Sequence, residues 1–329
     1  MKIAYFVASI YFGGVEKIVT DSINALSTEH ETLLIVPKGC EFKDKISQKV
    51  QIYEYKNYDK RWNLLLYFEI YKILSKFGVE ILHTHGAKAT QMGFVLNKFL
   101  KFSLVGTKHN ARKGKIFEHI KNCLCVSKMV QNSIQNESRV LYFGIKPLET
   151  EKTNLAKEPF IITAVGRLDA IKGFDELIMA CAKLKIEFVL QIIGKGTQLE
   201  NLQILAENLG ILQRVKFVGF SNEIPQILSS SHLQVISSKS EGLPLVLIEG
   251  LFYSPVLIST DVGGIGEILD SEFLMGYDDM AGKITQIYEN YEKKVLKFSQ
   301  IHAKIKTKLL FENYISNLQN YYKEILCRA

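Results

Sequence analysis

Phe160-Ile161-Ile162-Thr163-Ala164-Val165-Gly166-Arg167-Leu168-Asp169-Ala170-Ile171-Lys172-Gly173-Phe174 is a β-rich run of six residues, a glycine turn and the opening of a helical pattern. It decides the fold because it starts a series. A run this short, bounded by turn signals and followed by a helix, is what a strand buried on both faces of a parallel sheet looks like. The same unit then recurs. Strands are expected at 189–193, 215–218, 233–236 and 256–259, and helices at 174–184, 197–208, 225–230 and 245–252. The result is a doubly wound α/β sheet, whose ligands bind beyond the carboxyl ends of the strands.

Upstream the alternation is already present. Strands are expected at 3–8, 31–36, 52–55, 81–83, 102–108 and 123–126, with amphipathic helices at 15–26, 64–77 and 88–99. A polar segment, 149–159, has linker composition and separates the two series. The 329 residues suit two cores of ordinary size. We therefore expect a first Rossmann-like domain at 1–150 and a second at 151–304, facing one cleft. The tail, 281–326, reads as helical, and its last part, about 305–329, could pack back on the first domain.

Hydrophobic residues make up 47% of the chain and charged residues 23%, the balance of a globular protein. The N-terminus reads as a buried first strand, not a signal peptide, and no window is apolar for long enough to span a bilayer. Five cysteines, Cys40, Cys123, Cys125, Cys181 and Cys327, follow no disulfide or metal spacing. Buried thiols in a cytoplasmic protein are expected. The net charge of +7 is uneven: residues 1–150 hold 22 lysines and arginines against 13 acidic residues, and residues 151–329 hold 19 against 21. The basic excess gathers between Lys101 and Lys121, where Lys108, Arg112, Lys113 and Lys115 cluster. Such a patch fits an anionic membrane surface, a phosphorylated acceptor or nucleic acid, or is simply a solvated face.

Three stretches carry the chemistry. In the first, Arg167 follows the strand end at Gly166 and Lys172 precedes the helix, so the two can converge on a diphosphate, a planar fork beside a mobile point charge. Gly194-Lys195-Gly196 ends the next strand but lacks the third glycine of a dinucleotide fingerprint. In Glu241-Gly242-Leu243-Pro244-Leu245-Val246-Leu247-Ile248-Glu249, two carboxylates are separated by seven residues across a glycine turn and a helix start. Backbone N–H groups there form an anion site. Glu241 can accept bonds from sugar hydroxyls, or can cap the helix instead.

Together with Gly263-Gly264-Ile265-Gly266-Glu267, these stretches resemble the retaining glycosyltransferases of family 4, which have the two-domain GT-B fold. The Glu241–Glu249 spacing is similar to their E-x7-E signature, Gly166-Arg167-Leu168 with Lys172-Gly173 to their G-R-L/F-x-x-x-K-G loop, and Gly263-Gly264 with Glu267 to their G-G-x-x-E loop. In the first half, Gly13-Gly14-Val15-Glu16, His83-Thr84-His85-Gly86 and Thr107-Lys108-His109 resemble the family's G-G-x-E, H-x-H-G and T-x-H. Tyr142-Phe143-Gly144-Ile145 departs from the family's N-G-V/I.

The resemblance implies a set of roles. Arg167 and Lys172 would hold the donor diphosphate, Glu241 the sugar hydroxyls and Glu249 the ribose. Backbone of Leu245 and Val246, with Gly242, Leu243 and Pro244 before them, would meet the distal phosphate. Phe217-Val218-Gly219 would line the base, with Gly194 beside the phosphates. His109 would stand near the reacting sugar, and Gly13-Gly14 would admit phosphates and acceptor. Of His83 and His85, at least one is expected to serve only strand-end hydrogen bonding.

The implied reaction moves a hexose or N-acetylhexosamine from a nucleotide diphosphate sugar, UDP-linked by expectation, to a lipid-linked or surface glycan. The implied setting is the cytoplasmic face of the inner membrane. No cofactor and no metal is expected, and no D-x-D string occurs. A sugar-nucleotide epimerase or another GT-B sugar enzyme is the second expectation. A non-enzymatic basic binder is the third, and nucleic acid is not expected as a partner, because no aromatic residues interleave the basic cluster.

Overall fold

The computed structural model describes residues 1–56, 63–112, 114–151 and 156–328. The chain forms two compact units, Met1–Phe143 with Phe311–Ala329, and Gly144–Leu310. The division falls at 143/144, not 150/151, and part of the expected linker, 152–155, lies outside the described residues.

In the first unit, strands β1 (Lys2–Val7), β2 (Glu31–Pro37), β3 (Gln51–Tyr55), β4 (Ile81–His85), β5 (Ser103–Lys108), β6 (Asn122–Cys125) and β7 (Ser138–Val140) form one parallel sheet. Its order is β3-β2-β1-β4-β5-β6-β7. Helices α1 (Gly14–Leu26), α2 (Leu64–Phe77), α3 (Ala87–Leu96) and α4 (Lys128–Gln131) connect the strands. The apolar residues of α1, Ile18, Val19, Ile23 and Leu26, recur at the helical period and are all buried. Asn63 starts α2 by accepting the Leu65 N–H at 3.0 Å. Gly78, in the left-handed region at φ +69°, ends it. The edge strand β7 escapes a sequence reading because Ser138-Arg139-Val140 has no apolar run and no fully buried residue.

In the second unit, β8 (Phe160–Val165), β9 (Phe188–Ile193), β10 (Val215–Gly219), β11 (Leu233–Ile236), β12 (Leu257–Thr260) and β13 (Leu274–Met275) form a parallel sheet in the order β10-β9-β8-β11-β12-β13. Around it lie α5 (Phe174–Cys181), α6 (Leu199–Asn208), α7 (Ile224–Ser229), α8 (Leu245–Tyr253), α9 (Met280–Glu289) and α10 (Tyr291–Lys308). The expected single helical tail is three helices. The last, α11 (Phe311–Cys327), belongs to the first unit. Its Tyr314, Leu318, Tyr321, Tyr322 and Ile325 are buried at spacings of three and four. Four cysteines are buried and reduced; Cys327 differs from expectation in being exposed. Among the described residues no helix is long and apolar enough to cross a membrane.

Candidate functional site

In the second sheet the strand order reverses between β8 and β11, so the chain leaves these neighbouring strands in opposite directions and a crevice opens at their carboxyl ends. The loop after β8 carries Arg167 and Lys172; the loop after β11 carries Glu241. Across the crevice Lys172 Nζ donates to Glu241 Oε1 at 2.6 Å, a pair with side chains only 19% and 12% exposed. Glu241 therefore turns away from α8, whose N-cap residue, Pro244, makes no side-chain capping hydrogen bond. Arg167 does not share the Lys172 partner. Its guanidinium donates to Asp169 Oδ2 at 2.9 Å and is largely exposed. The sequence signal for Asp169 was its place two residues beyond Arg167, and it was missed.

The loops are stapled together through backbone. Lys239 N–H donates to the Ile171 carbonyl at 2.7 Å, and Ser237 Oγ to the Lys172 carbonyl at 2.9 Å. Leu168 N–H donates to the Lys195 carbonyl at 2.9 Å, and Gly264 N–H to the Gly242 carbonyl at 2.7 Å. Two glycines make such approaches possible. A Cβ on Gly173, at φ +64°, would stand 2.1 Å from the Ser237 carbonyl oxygen; one on Gly194, at φ +147°, would stand 1.8 Å from that of Gly166.

Around this frame, Leu243 is buried and Leu245 and Val246 open α8 half-buried. Glu249 lies one turn into that helix and is buried. Phe217 and Gly219, on β10, are half-buried, whereas Val218 is exposed. Thr260 Oγ1 and Tyr277 Oη both donate to the Ser238 carbonyl, at 2.7 and 2.5 Å, fixing the loop that leads to Glu241. Neither was anticipated from the sequence.

In the first unit the switch point lies between β1 and β4, and three histidines stack at the ends of β4 and β5. Ring centroids are 4.5 Å apart for His83 and His85 and 5.2 Å for His85 and His109. His83 is occupied on both nitrogens, by Tyr322 Oη and by Thr107 Oγ1 at 2.7 Å. Tyr322 in turn meets Tyr5 Oη at 2.9 Å. His83 thus serves strand-end hydrogen bonding. His85 Nδ1 lies 2.9 Å from His109 Nε2, and His109 stacks on Phe143. Burial holds His83 down to about 3 and His109 down to about 4, and places His85 well below the usual imidazole value. The three rings are neutral at neutral pH. At the end of β1's loop, the Gly13 N–H is taken by Glu16 Oε2 at 3.1 Å, while Gly13 and Gly14 stay exposed.

The expected basic cluster loses its first member. Lys108 is buried, and its ammonium donates to Ser133 Oγ at 2.7 Å and to the Arg112 carbonyl at 3.3 Å. Its place near the end of β5 makes it a core strut, a role that sequence charge counting misreads. Lys113 lies outside the described residues; Arg112 and Lys115 are exposed.

These geometries agree with what the chain resembles. Residues 146–304 match the family model of glycosyl transferases group 1. An uncharacterized glycosyltransferase of Haemophilus influenzae is 35% identical over 124 residues, 36% of this chain and 35% of that protein. The chain thus spans about a third of that relative's length. The O-antigen biosynthesis glycosyltransferase WbnH of Escherichia coli is 23% identical over 350 residues, covering 99% of each. HepE of Anabaena, solved in complex with UDP-glucose, matches 100% of both chains with a TM-score of 0.87 at 19% identity. The fold is that of the GT-B structures, two Rossmann-like parallel sheets. The match to glycosyl transferases group 1 lies within the second unit, Gly144–Leu310, and spans nearly all of it.

Proposed function

We propose that the protein moves a hexose or N-acetylhexosamine from a UDP-linked donor to a lipid-linked or surface glycan, on the cytoplasmic side of a membrane, retaining the anomeric configuration. The observation that carries this is the Lys172–Glu241 pair, which joins the cationic loop after β8 to the carboxylate loop after β11 at the switch point. HepE, whose fold the chain shares, is solved with UDP-glucose, which supports a UDP sugar, and WbnH acts in O-antigen biosynthesis, which supports a surface glycan.

In this reading the departing diphosphate is stabilised by charges already in place: Lys172, Arg167 and the uncapped N-terminus of α8 at Leu245 and Val246. Fixed cations of this kind let the leaving group depart without a metal ion. Glu241 receives the sugar hydroxyls, Glu249 the ribose, and Phe217 to Gly219 the base. His109, neutral at working pH, accepts a hydrogen bond from the reacting sugar. Retention follows from attack on the face that the leaving phosphate vacates.

The test is turnover of UDP-glucose, UDP-galactose and UDP-N-acetylhexosamines with a diphospholipid-linked glycan, read by mass spectrometry, with the product anomer read by NMR. Transfer to the acceptor that persists in chelator and is lost in Glu241→Gln is expected. An inverted anomer overturns the retaining step. Interconversion of sugar nucleotides without acceptor overturns the reaction class.

A further inference from the structure

Among the described residues, exposed apolar side chains gather at the start of α2. Leu64, Leu65 and Phe68, within its first five residues, are 80%, 65% and 57% exposed. Surface leucines occur singly as a matter of course, but three large apolar side chains in the first turns of one helix form a patch that marks a contact. The opposite face of the same helix is conventional: Leu66, Ile70, Leu74 and Phe77 are buried against the sheet.

The patch continues into positive charge. Leu64, Phe68, Lys72 and Lys76 follow one another at intervals of four, one row along the helix. Lys72 and Lys76 are exposed, and the Lys72 ammonium lies 4.2 Å from the Phe68 ring centroid. Apolar residues to enter an interface, with lysines on flexible stems to reach charges beside them, make the pattern of a helix that lies in the plane of a bilayer.

We propose that this face of α2 docks the first unit on an anionic bilayer surface. A second copy of the chain is the less suitable occupant, because the unit holds 23 lysines and arginines against 14 acidic residues and two copies would repel. The same surplus is complementary to anionic lipid. The placement in the fold also fits. In a parallel sheet, α2 begins at the rim where β3 ends and runs back to where β4 begins. That rim also carries the Gly13-Gly14 turn after β1, His85 at the end of β4 and His109 after β5. A bilayer held against the start of α2 presents a lipid-linked acceptor to that rim; only this last consequence rests on the acceptor proposed above.

Co-sedimentation of the full chain with vesicles of phosphatidylglycerol and phosphatidylethanolamine, against phosphatidylcholine alone, tests the surface. The variant Leu64→Ser/Leu65→Ser/Phe68→Ser is expected to lose roughly tenfold in partition, and Lys72→Gln/Lys76→Gln a few-fold, with binding weakened by salt. Because the side chains are exposed, both variants keep the wild-type melting temperature. Unchanged partition of the triple variant overturns the proposal. So does a dimer in the wild type that the triple variant dissolves without vesicle binding in either. UDP release with a water-soluble acceptor is measured separately: its absence alongside vesicle binding lost as expected rejects the transferase reading and leaves the docking surface standing.

Discussion

Lys172 and Glu241, 69 residues apart in sequence, are joined at 2.6 Å in a pair that solvent barely reaches. A pair so placed couples stability to function, because each charge is left poorly solvated when its partner is removed. Lys172→Met or Glu241→Gln is expected to lower stability by about 1–3 kcal/mol, the usual cost of a stranded buried polar group. The double variant should be destabilised by less than the sum of the singles. Urea denaturation of the three variants checks this. Transfer should fall about a hundredfold or more in each single variant, the scale of removing one preorganised charge.

The loop staples predict that two glycines, each at positive φ, differ in consequence. Gly173 and Gly219 both have positive φ, +64° and +80°. A Cβ on Gly219 meets nothing within 4 Å, so Gly219→Ala carries only the left-handed penalty, about 1–2 kcal/mol. Gly173→Ala adds a Cβ 2.1 Å from the Ser237 carbonyl oxygen, and the loops bearing Lys172 and Glu241 must separate. Its melting temperature should drop further than that of Gly219→Ala, and the stabilisation by added UDP should shrink as well. Equal melting shifts in the two variants would refute the steric account.

Much of this was legible in the sequence where one physical signal dominated. The run at 160–165 became β8 with the expected ends, because a buried parallel strand must be apolar on both faces. Helix 64–77 matched α2 because Asn63 and Gly78 mark its two ends. What the sequence did not show was partnership. The Arg167–Asp169 pair, the Tyr322–His83 bond and the burial of Lys108 depend on which residues meet in space. A lysine counted as surface charge can equally be a strut that reaches a serine. The two-residue strand β13 and the polar edge strand β7 offered no periodicity to detect.

The C-terminal helix should matter more to the first unit than its position in the chain suggests. Tyr322 of α11 bonds both His83 and Tyr5, and Tyr314 bonds Ser22 Oγ at 3.1 Å. Tyr322→Phe keeps the ring and removes the hydroxyl, stranding His83 Nδ1 and Tyr5 Oη in the core. A loss of roughly 1–3 kcal/mol is expected. Hydrogen exchange should show it as faster exchange in α11 and β4, with β8 to β13 unchanged; uniform acceleration across both units would contradict the assignment.

The stacked histidines also set a pH dependence whose sign can be worked out. In the unfolded chain an imidazole titrates near 6.5; in the folded first unit burial holds His109 at about 4 and His83 at about 3. Above pH 6.5 neither state binds the proton and the stability is whole. As pH falls below 6.5 the unfolded chain takes up protons that the folded chain refuses, so stability declines, and for these groups the decline ends only below the folded values. His232 and His302 of the second unit are lowered by burial as well and act in the same direction. Urea midpoints should therefore fall between pH 7 and pH 5, before the carboxylates begin to protonate. His109→Gln, which removes one such group, should fall less steeply than the wild type over that interval, whatever its stability at pH 7. A wild-type midpoint that is flat or rises toward pH 5 would mean that the stack is protonated in the folded state, and that His109 is a cation, not the neutral acceptor proposed for the reacting sugar.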